Sequence, residues 1–278
     1  MRTIATIADF RRARGALRGT LGLVPTMGYL HEGHMTLVRR ARAENDAVAA
    51  SIFVNPTQFG QGEDFQHYPR DVPRDLAMLE KEGVDLVFTP EAAEMYPPGA
   101  ETFIDVGKVA QPLEGARRPG HFRGVATVVA KLFNIVQPER AYFGQKDAQQ
   151  VAVIKRMARD LDFPLEIVVV PTVREPDGLA MSSRNVYLDP RQRQAATCLS
   201  RGMALAQQRW AGGERDADTL RAIVTKEIAR EPLASIVYVS LADADTLQEF
   251  HGRISRPALL SLVVQVGKPH LIDNALLE

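Results

Sequence analysis

The chain has 278 residues, 45% hydrophobic and 24% charged, a size and balance that suit a globular protein of one large or two moderate domains. Lys plus Arg equals Asp plus Glu, 34 against 34, which gives no support to a general nucleic-acid or membrane-surface role. The single cysteine, Cys198, excludes an intramolecular disulfide, suits a reducing compartment and reads as packing in a helical stretch, not as a nucleophile.

Residues 1–4 lack the apolar core of a signal peptide, and no run reaches the roughly 18 apolar residues of a membrane span. The expected location is the cytoplasm.

Strand-like and helix-like segments alternate along the first part of the chain. Short apolar runs at 21–24, 47–54, 85–89, 140–143 and 165–170 predict strands covered on both faces. Between them, 35–43, 74–82, 125–136 and 148–161 predict helices. In the third, Val125, Val128, Val129, Leu132, Phe133 and Val136 recur at helical spacing, and Pro138 stops it. The alternation predicts an α/β fold, a parallel sheet with helices on both faces and ligands at the carboxyl ends of its strands. The pattern changes after Pro171. Residues 174–185 read as a polar loop, 191–211 and 217–230 as helices, and 235–241 and 259–266 as strands. This is a smaller α+β unit. The boundary falls near Val173, giving domains 1–173 and 174–278.

At the first handover from strand to helix stands Pro25-Thr26-Met27-Gly28-Tyr29-Leu30-His31-Glu32-Gly33-His34. A helix N-terminus offers free N–H groups and a positive dipole end, glycine lets the backbone approach a ligand, and imidazoles add donors. The run therefore reads as an anion site. Its i, i+3 histidines, with Gly33 between, do not fit the i, i+4 face of a zinc hydrolase. A pair of surface or capping histidines is the competing reading.

Asn55-Pro56-Thr57-Gln58-Phe59 ends the second strong strand and points two neutral amides at the expected cleft, suited to hydroxyls, amides or carboxylates. A polar turn would look the same. Gly60-Gln61-Gly62 lacks the third glycine of a dinucleotide fingerprint. Asp75 opens a helix, as a dipole partner or as a magnesium ligand. Arg117-Arg118-Pro119-Gly120-His121-Phe122-Arg123-Gly124 suits phosphate or carboxylate, or is a solvated basic loop. Gly144-Gln145-Lys146-Asp147, with Gln150 just after it, makes a second anion site or a plain capping turn, and it is not a Walker A loop. Met181-Ser182-Ser183-Arg184-Asn185 could close over a triphosphate, or serve as a flexible linker.

Taken in order with Tyr68-Pro69-Arg70, His121-Phe122-Arg123-Gly124-Val125 and Leu271-Ile272-Asp273-Asn274, these motifs resemble the pantoate–β-alanine ligase family over essentially the whole chain. That family is similar to class I aminoacyl-tRNA synthetases and nucleotidylyltransferases. The resemblance implies a Rossmann-like nucleotide-binding domain of the HIGH-type nucleotidyltransferase superfamily. His31 to His34 resembles the HIGH signature, and Met181 to Arg184 resembles a diverged KMSKS loop. The implied enzyme is a cytoplasmic homodimer that ligates pantoate and β-alanine with ATP, through pantoyl adenylate, releasing AMP and pyrophosphate in pantothenate and coenzyme A biosynthesis.

By the same resemblance, Met27, Gly28, Tyr29, Leu30, Glu32 and Gly33 bind ATP, with His31 and His34 on the phosphates and His34 as proton donor. Lys146 and Arg184 neutralise charge on the α-phosphate and the departing pyrophosphate. Gly144 and Asp147 bind the nucleoside end with Gln145 in the same turn, Val173 lies beside the adenine, and Met181, Ser182 and Ser183 complete the ATP loop. Gln58 and Gln150 grip pantoate, and Gln58 also serves β-alanine. Asn55 and Arg118 are further cleft residues. Asp75 resembles a carboxylate near the Mg2+ of ATP, and the C-terminal domain resembles a lid. Two positions depart from the family: Gln145 stands where it usually has Glu, and His270 where it usually has Arg. An adenylyltransferase of the same fold would need a cationic acceptor-phosphate pocket where this chain offers Gln58 and Gln150. A silent nucleotide-binding module would have no need of both histidines, Lys146 and Arg184.

Overall fold

The computed structural model describes residues 1–60, 62–63 and 65–278; Gln61, in the Gly60-Gln61-Gly62 run, lies outside the described residues. The chain divides into two compact units, Met1–Gly144 with Gln149–Pro171, and Gln145–Ala148 with Thr172–Glu278.

In the first unit, strands β1 (Arg2–Ile4), β2 (Leu21–Thr26), β3 (Ala47–Ile52), β4 (Leu86–Phe88), β5 (Arg140–Gly144) and β6 (Glu166–Val170) pair in parallel, in the order β1-β4-β3-β2-β5-β6. β3 is buried at every position, as a parallel strand covered on both faces must be. Helices Glu32–Glu44 and Val72–Lys81 bring Met35, Val38, Ala41 and Leu79 into one core with Val24, Val48, Ala50 and Val87. The five strands expected here all form. β1 and the helix Ile7–Gly15 were not foreseeable by pattern, since β1 has three residues and the helix buries only Phe10 and Ala13.

The order of the strands positions the site. From β2 the chain crosses through Glu32–Glu44 to β3 on one side. From β5 it crosses through Ala148–Asp160 to β6 on the other. β2 and β5 are neighbours, paired at Gly22↔Arg140 and Leu23↔Ala141. Two neighbouring strands whose crossovers leave in opposite directions make a topological switch point. Their carboxyl ends, Thr26 and Gly144, flank the crevice where such sheets take ligands.

In the second unit, β7 (Ala234–Asp243), β8 (Ala258–Val266) and β9 (His270–Leu277) form an antiparallel meander. Helices Cys198–Ala211 and Ala217–Ile228 pack Leu199, Met203, Leu220 and Val224 in one core with Leu260, Leu262 and Val264. Cys198 belongs to this core, and burial pushes its thiol up to about 11, as suits packing and not nucleophilic attack. The single helix expected at 191–211 is two, Pro190–Ala195 and Cys198–Ala211. At the break the Thr197 hydroxyl donates to Gln194 O at 2.7 Å, a local bond that competes with helix continuation.

β9 was expected only as a motif, because two buried polar residues interrupt its apolar pattern. Asp273 takes both ends of the Arg174 fork, at 2.7 and 2.9 Å. Asn274 Nδ2 donates to Gln145 O at 3.0 Å and Lys146 O at 2.9 Å, and its Oδ1 accepts from Gln145 Nε2 at 3.0 Å. These bonds explain why Gln145–Ala148 groups with the second unit, although a boundary near Val173 assigns it to the first. Asn274→Ala should lower unfolding stability by about 1 kcal/mol or more, the cost of leaving partly buried partners unsatisfied. An unchanged denaturation midpoint would show that this side chain does not hold the Gln145–Lys146 turn.

Candidate active site

At the carboxyl end of β2 the backbone turns through the left-handed region twice, at Gly28 (φ 83°) and at Tyr29 (φ 51°). Only glycine suits the first position. A Cβ there would also lie 3.0 Å from both Asp75 Oδ2 and Ile52 Cγ2. For Tyr29 the same conformation costs roughly 1–2 kcal/mol, so neighbouring groups must hold it. Asp75, in the first turn of Val72–Lys81 and 0% exposed, accepts Tyr29 N on Oδ2 at 2.7 Å and Leu30 N on Oδ1 at 2.8 Å. Burial pushes its carboxyl above the usual range, while the two backbone N–H groups and the Arg74 guanidinium pull it back. Arg74 donates from Nη2 to Leu30 O at 3.0 Å and lies 5.4 Å from the centre of the Tyr29 ring.

The turn delivers His31 as the N-cap of Glu32–Glu44. His31 Nδ1 accepts Gly33 N at 3.2 Å, and His34 Nδ1 accepts His31 N at 3.3 Å, a reciprocal cap built from two imidazoles. The rings lie 4.1 Å apart, tilted by 48°. A backbone N–H only donates, so both Nδ1 atoms are unprotonated and both ring protons sit on Nε2. The capping reading therefore describes one edge of each ring. The other edge carries an N–H donor at the positive end of a helix dipole. Glu32 forms an ion pair with Arg39, which also pairs with Glu82. Among the described residues, no group of three His, Cys, Asp or Glu could hold a metal ion.

The amide pair follows β3 on the 3-10 turn Pro56–Gln58. Asn55 is 1% exposed. Its Oδ1 accepts from Thr57 N at 3.3 Å, Thr57 Oγ1 at 2.9 Å and Tyr96 OH at 2.9 Å. Its Nδ2 donates to Gln58 Oε1 at 3.1 Å and Gly124 O at 3.2 Å. With both donors and its acceptor engaged, Asn55 orients Gln58. Gln58 Nε2 donates in turn to Met27 Sδ at 3.3 Å, which ties the amide to the β2 turn.

Behind Gln58 stands a second relay. His121 Nδ1 donates to Gln58 O at 2.8 Å, and its Nε2 accepts from Arg118 Nη1 at 3.1 Å. Arg118 also forks onto Glu63, at 2.9 and 2.6 Å, and holds that carboxyl below its ordinary value. Arg118 is thus a braced residue, although Arg117, Pro119 and Gly120 beside it are exposed. Helix His121–Val136 fits closely here, since a Cβ on Gly124 would meet Thr57 O at 2.3 Å. Tyr96, Glu63 and His121 are supporting residues that the sequence reading did not assign. His121 lies in the Arg117–Gly124 motif, but Tyr96 gives no signal in the sequence, because only the folded chain brings it to Asn55. Gln150 sits half-buried on helix Ala148–Asp160.

The second unit holds the other expected residues. Gln145, Lys146 and Asp147 form a 3-10 turn tied to Asn274. The Gln145 amide donates to Asn274 Oδ1, for which a carboxylate in its place would lack the proton. His270 is exposed at the start of β9. Met181 N donates to Val173 O at 2.9 Å, and Arg174 bridges to Ala180. Ser182 caps the 3-10 helix Ser183–Tyr187, accepting Arg184 N at 3.2 Å, and Asn185 Nδ2 donates to Ala180 O at 3.1 Å. The stretch carrying Met181, Ser182, Ser183 and Arg184 is therefore a hydrogen-bonded strap, not a plain linker.

The family described as Pantoate-beta-alanine ligase matches residues 1–276. The chain is 64% identical to a pantothenate synthetase of Roseiflexus castenholzii over 278 residues, which is 100% of both chains. A crystal structure of pantothenate synthetase from Thermus thermophilus superposes with a TM-score of 0.93 at 48% identity, covering 99% of each chain. A pantoate-beta-alanine ligase from Francisella tularensis, complexed with beta-gamma ATP and beta-alanine, superposes with a TM-score of 0.80 at 34% identity, over 99% of this chain and 97% of that one.

Gly124→Ala should push helix His121–Val136 off the Gln58 turn, cost about 1–3 kcal/mol as overpacking does, and disturb the amide layer. Denaturation and a substrate titration check this together, and wild-type values in both would contradict the close packing described.

Proposed function

The chain belongs to the pantoate–β-alanine ligase family, and from that premise we propose the following division of work among its residues. The enzyme joins pantoate to β-alanine at the expense of ATP. A pantoate carboxylate oxygen attacks the α-phosphorus, the bond to pyrophosphate breaks, and pantoyl adenylate forms. The free amine of β-alanine then attacks the acyl carbon, loses a proton, and expels AMP to leave pantothenate. Neither step needs a covalent enzyme nucleophile, so positioning and charge stabilisation carry the catalysis.

The observation that carries this reading is the double histidine cap at the switch point, in which both Nδ1 atoms accept backbone N–H groups and Nε2 is left to carry each ring's proton. Two such donors on a helix N-terminus suit phosphate oxygens, and His34 also suits a proton donor to the departing pyrophosphate. Met27, Gly28, Tyr29, Leu30, Glu32 and Gly33 make the turn that receives ATP. Lys146 and Arg184 neutralise charge growing on the α-phosphate and pyrophosphate. Gly144, Gln145, Asp147 and Val173 take the nucleoside, and Met181, Ser182 and Ser183 the phosphates. Gln58 and Gln150 hold pantoate through neutral hydrogen bonds, and Gln58 also serves β-alanine. Arg118 and Asn55 act through Gln58, as their bonds to His121 and to Oε1 support.

Magnesium neutralising the ATP phosphates belongs to the same proposal, but Asp75 does not fit as its ligand. Mg2+ binds as a partly hydrated octahedral ion, and Asp75 is 0% exposed with both oxygens on backbone N–H groups. A homodimer in the cytoplasm completes the reading. No helix among the described residues is long and apolar enough to cross a membrane.

ATP, pantoate and β-alanine together should give AMP, pyrophosphate and pantothenate in equal amounts. Labelled pyrophosphate should exchange into ATP with pantoate present and β-alanine absent. Exchange that required β-alanine would refute the adenylate. His34→Ala and Lys146→Ala should each lower turnover about 10²-fold or more, the scale of one lost transition-state contact. Near-normal turnover in either would refute its role.

A further inference from the structure

We propose that Asp75 is the positioning residue of the histidine pair: its buried carboxylate bridges Tyr29 N and Leu30 N, fixes the left-handed turn, and thereby sets the His31 and His34 rings. The inference rests on the reading above that these rings meet the ATP phosphates, and it gives Asp75 work that is not metal ligation.

Three features of the turn point to a clamp. The backbone at Tyr29 has a φ of 51°, which a tyrosine does not adopt without support. The two N–H groups that follow Gly28 converge on one carboxylate, one per oxygen, at 2.7 and 2.8 Å. Arg74, the preceding residue of the same helix, holds the carbonyl of Leu30 at 3.0 Å. Asp75 and Arg74 thus grip Leu30 by its donor and its acceptor, one residue before the His31 cap. The grip is itself anchored, because Asp71 caps Val72–Lys81 by accepting Arg74 N at 3.2 Å and Asp75 N bonds Asp71 O at 3.0 Å.

The same geometry argues against a ligand. A magnesium ligand needs a free lone pair facing water or phosphate. The Asp75 oxygens are bound by the turn's backbone, with almost no exposed surface and with Arg74 Nη1 4.0 Å from Oδ1. The packing around Gly28 leaves no room either, since even a methyl group there would touch Asp75 Oδ2 at 3.0 Å.

The test is Asp75→Asn, which keeps the shape but turns one oxygen into an NH2 facing a backbone N–H. Turnover should fall about 10- to 100-fold, the range for losing an orienting partner. The KM for pantoate should change less than turnover, because Asn55 and the His121 relay hold Gln58 from outside this turn and only its bond to Met27 comes from it. The second readout is the affinity of Mn2+, a paramagnetic stand-in for Mg2+, for the protein with a non-hydrolysable ATP analogue, followed by water-proton relaxation. It should stay within about twofold of wild type. A tenfold or larger loss of Mn2+ affinity would make Asp75 a ligand and overturn the proposal, as would wild-type turnover. If Asp75→Asn does not fold, Arg74→Ala removes the other half of the grip from a more exposed position. It should lower turnover several-fold with Mn2+ affinity unchanged, and unchanged turnover would overturn the clamp. A wild-type enzyme that makes no pantothenate would instead fail the functional reading, so the two failures are distinct.

Discussion

One carboxylate under one turn organises this site. β2 ends in a parallel sheet whose strands all point their carboxyl ends the same way, and the chain must reverse there into Glu32–Glu44. It does so through Gly28 and Tyr29, both left-handed, and Asp75 makes that conformation tenable by taking the two N–H groups the turn would otherwise bury. The two histidines then face each other across the cap and satisfy backbone donors with Nδ1. Capping and the proposed phosphate binding, which looked like rival readings of the motif, are compatible, because the cap uses only the Nδ1 edge of each ring.

The amide layer beside that turn follows a different rule. Gln58 is 8% exposed, and each neighbour fixes one of its atoms: Asn55 its Oε1, Met27 its Nε2 and His121 its backbone carbonyl. A buried polar network is worth having only when its members are satisfied, and this one is closed by Tyr96 and Gly124 on one side and by Arg118 and Glu63 on the other. Its charges stand behind His121, so the face offered by Gln58 is neutral. A neutral, oriented amide suits a hydroxy acid such as pantoate better than a phosphorylated acceptor.

The first unit was legible because parallel strands are continuous apolar runs and their crossover helices have wide apolar stripes. Residues 47–54 and 125–136 announce themselves in this way. What stayed hidden was short or polar. β1 has three residues, and β9 carries Asp273 and Asn274 in its interior, whose partners Arg174 and Gln145 lie far away in sequence. The site divided along the same line. Local motifs gave the histidine run, the Asn55–Gln58 turn and the Lys146 turn. Supporting contacts across the fold, such as Tyr96 on Asn55 or Asp75 on Tyr29, have no signature in spacing. Asp75 was visible as an acidic residue in a first helical turn, which suggested a dipole partner or cap, and the family resemblance added a carboxylate near Mg2+; its burial and its two backbone donors point instead to a clamp.

The proposed clamp holds both histidines with Nδ1 unprotonated and Nε2 protonated. Two-bond 15N–1H correlation spectra of the 15N-labelled protein, at a pH above the imidazole range, read this directly. The chain has six histidines, and His31→Gln and His34→Gln assign the two that matter. Both rings should show a pyridine-type shift at Nδ1 and a pyrrole-type shift at Nε2. A proton on Nδ1 of either ring would contradict the clamp.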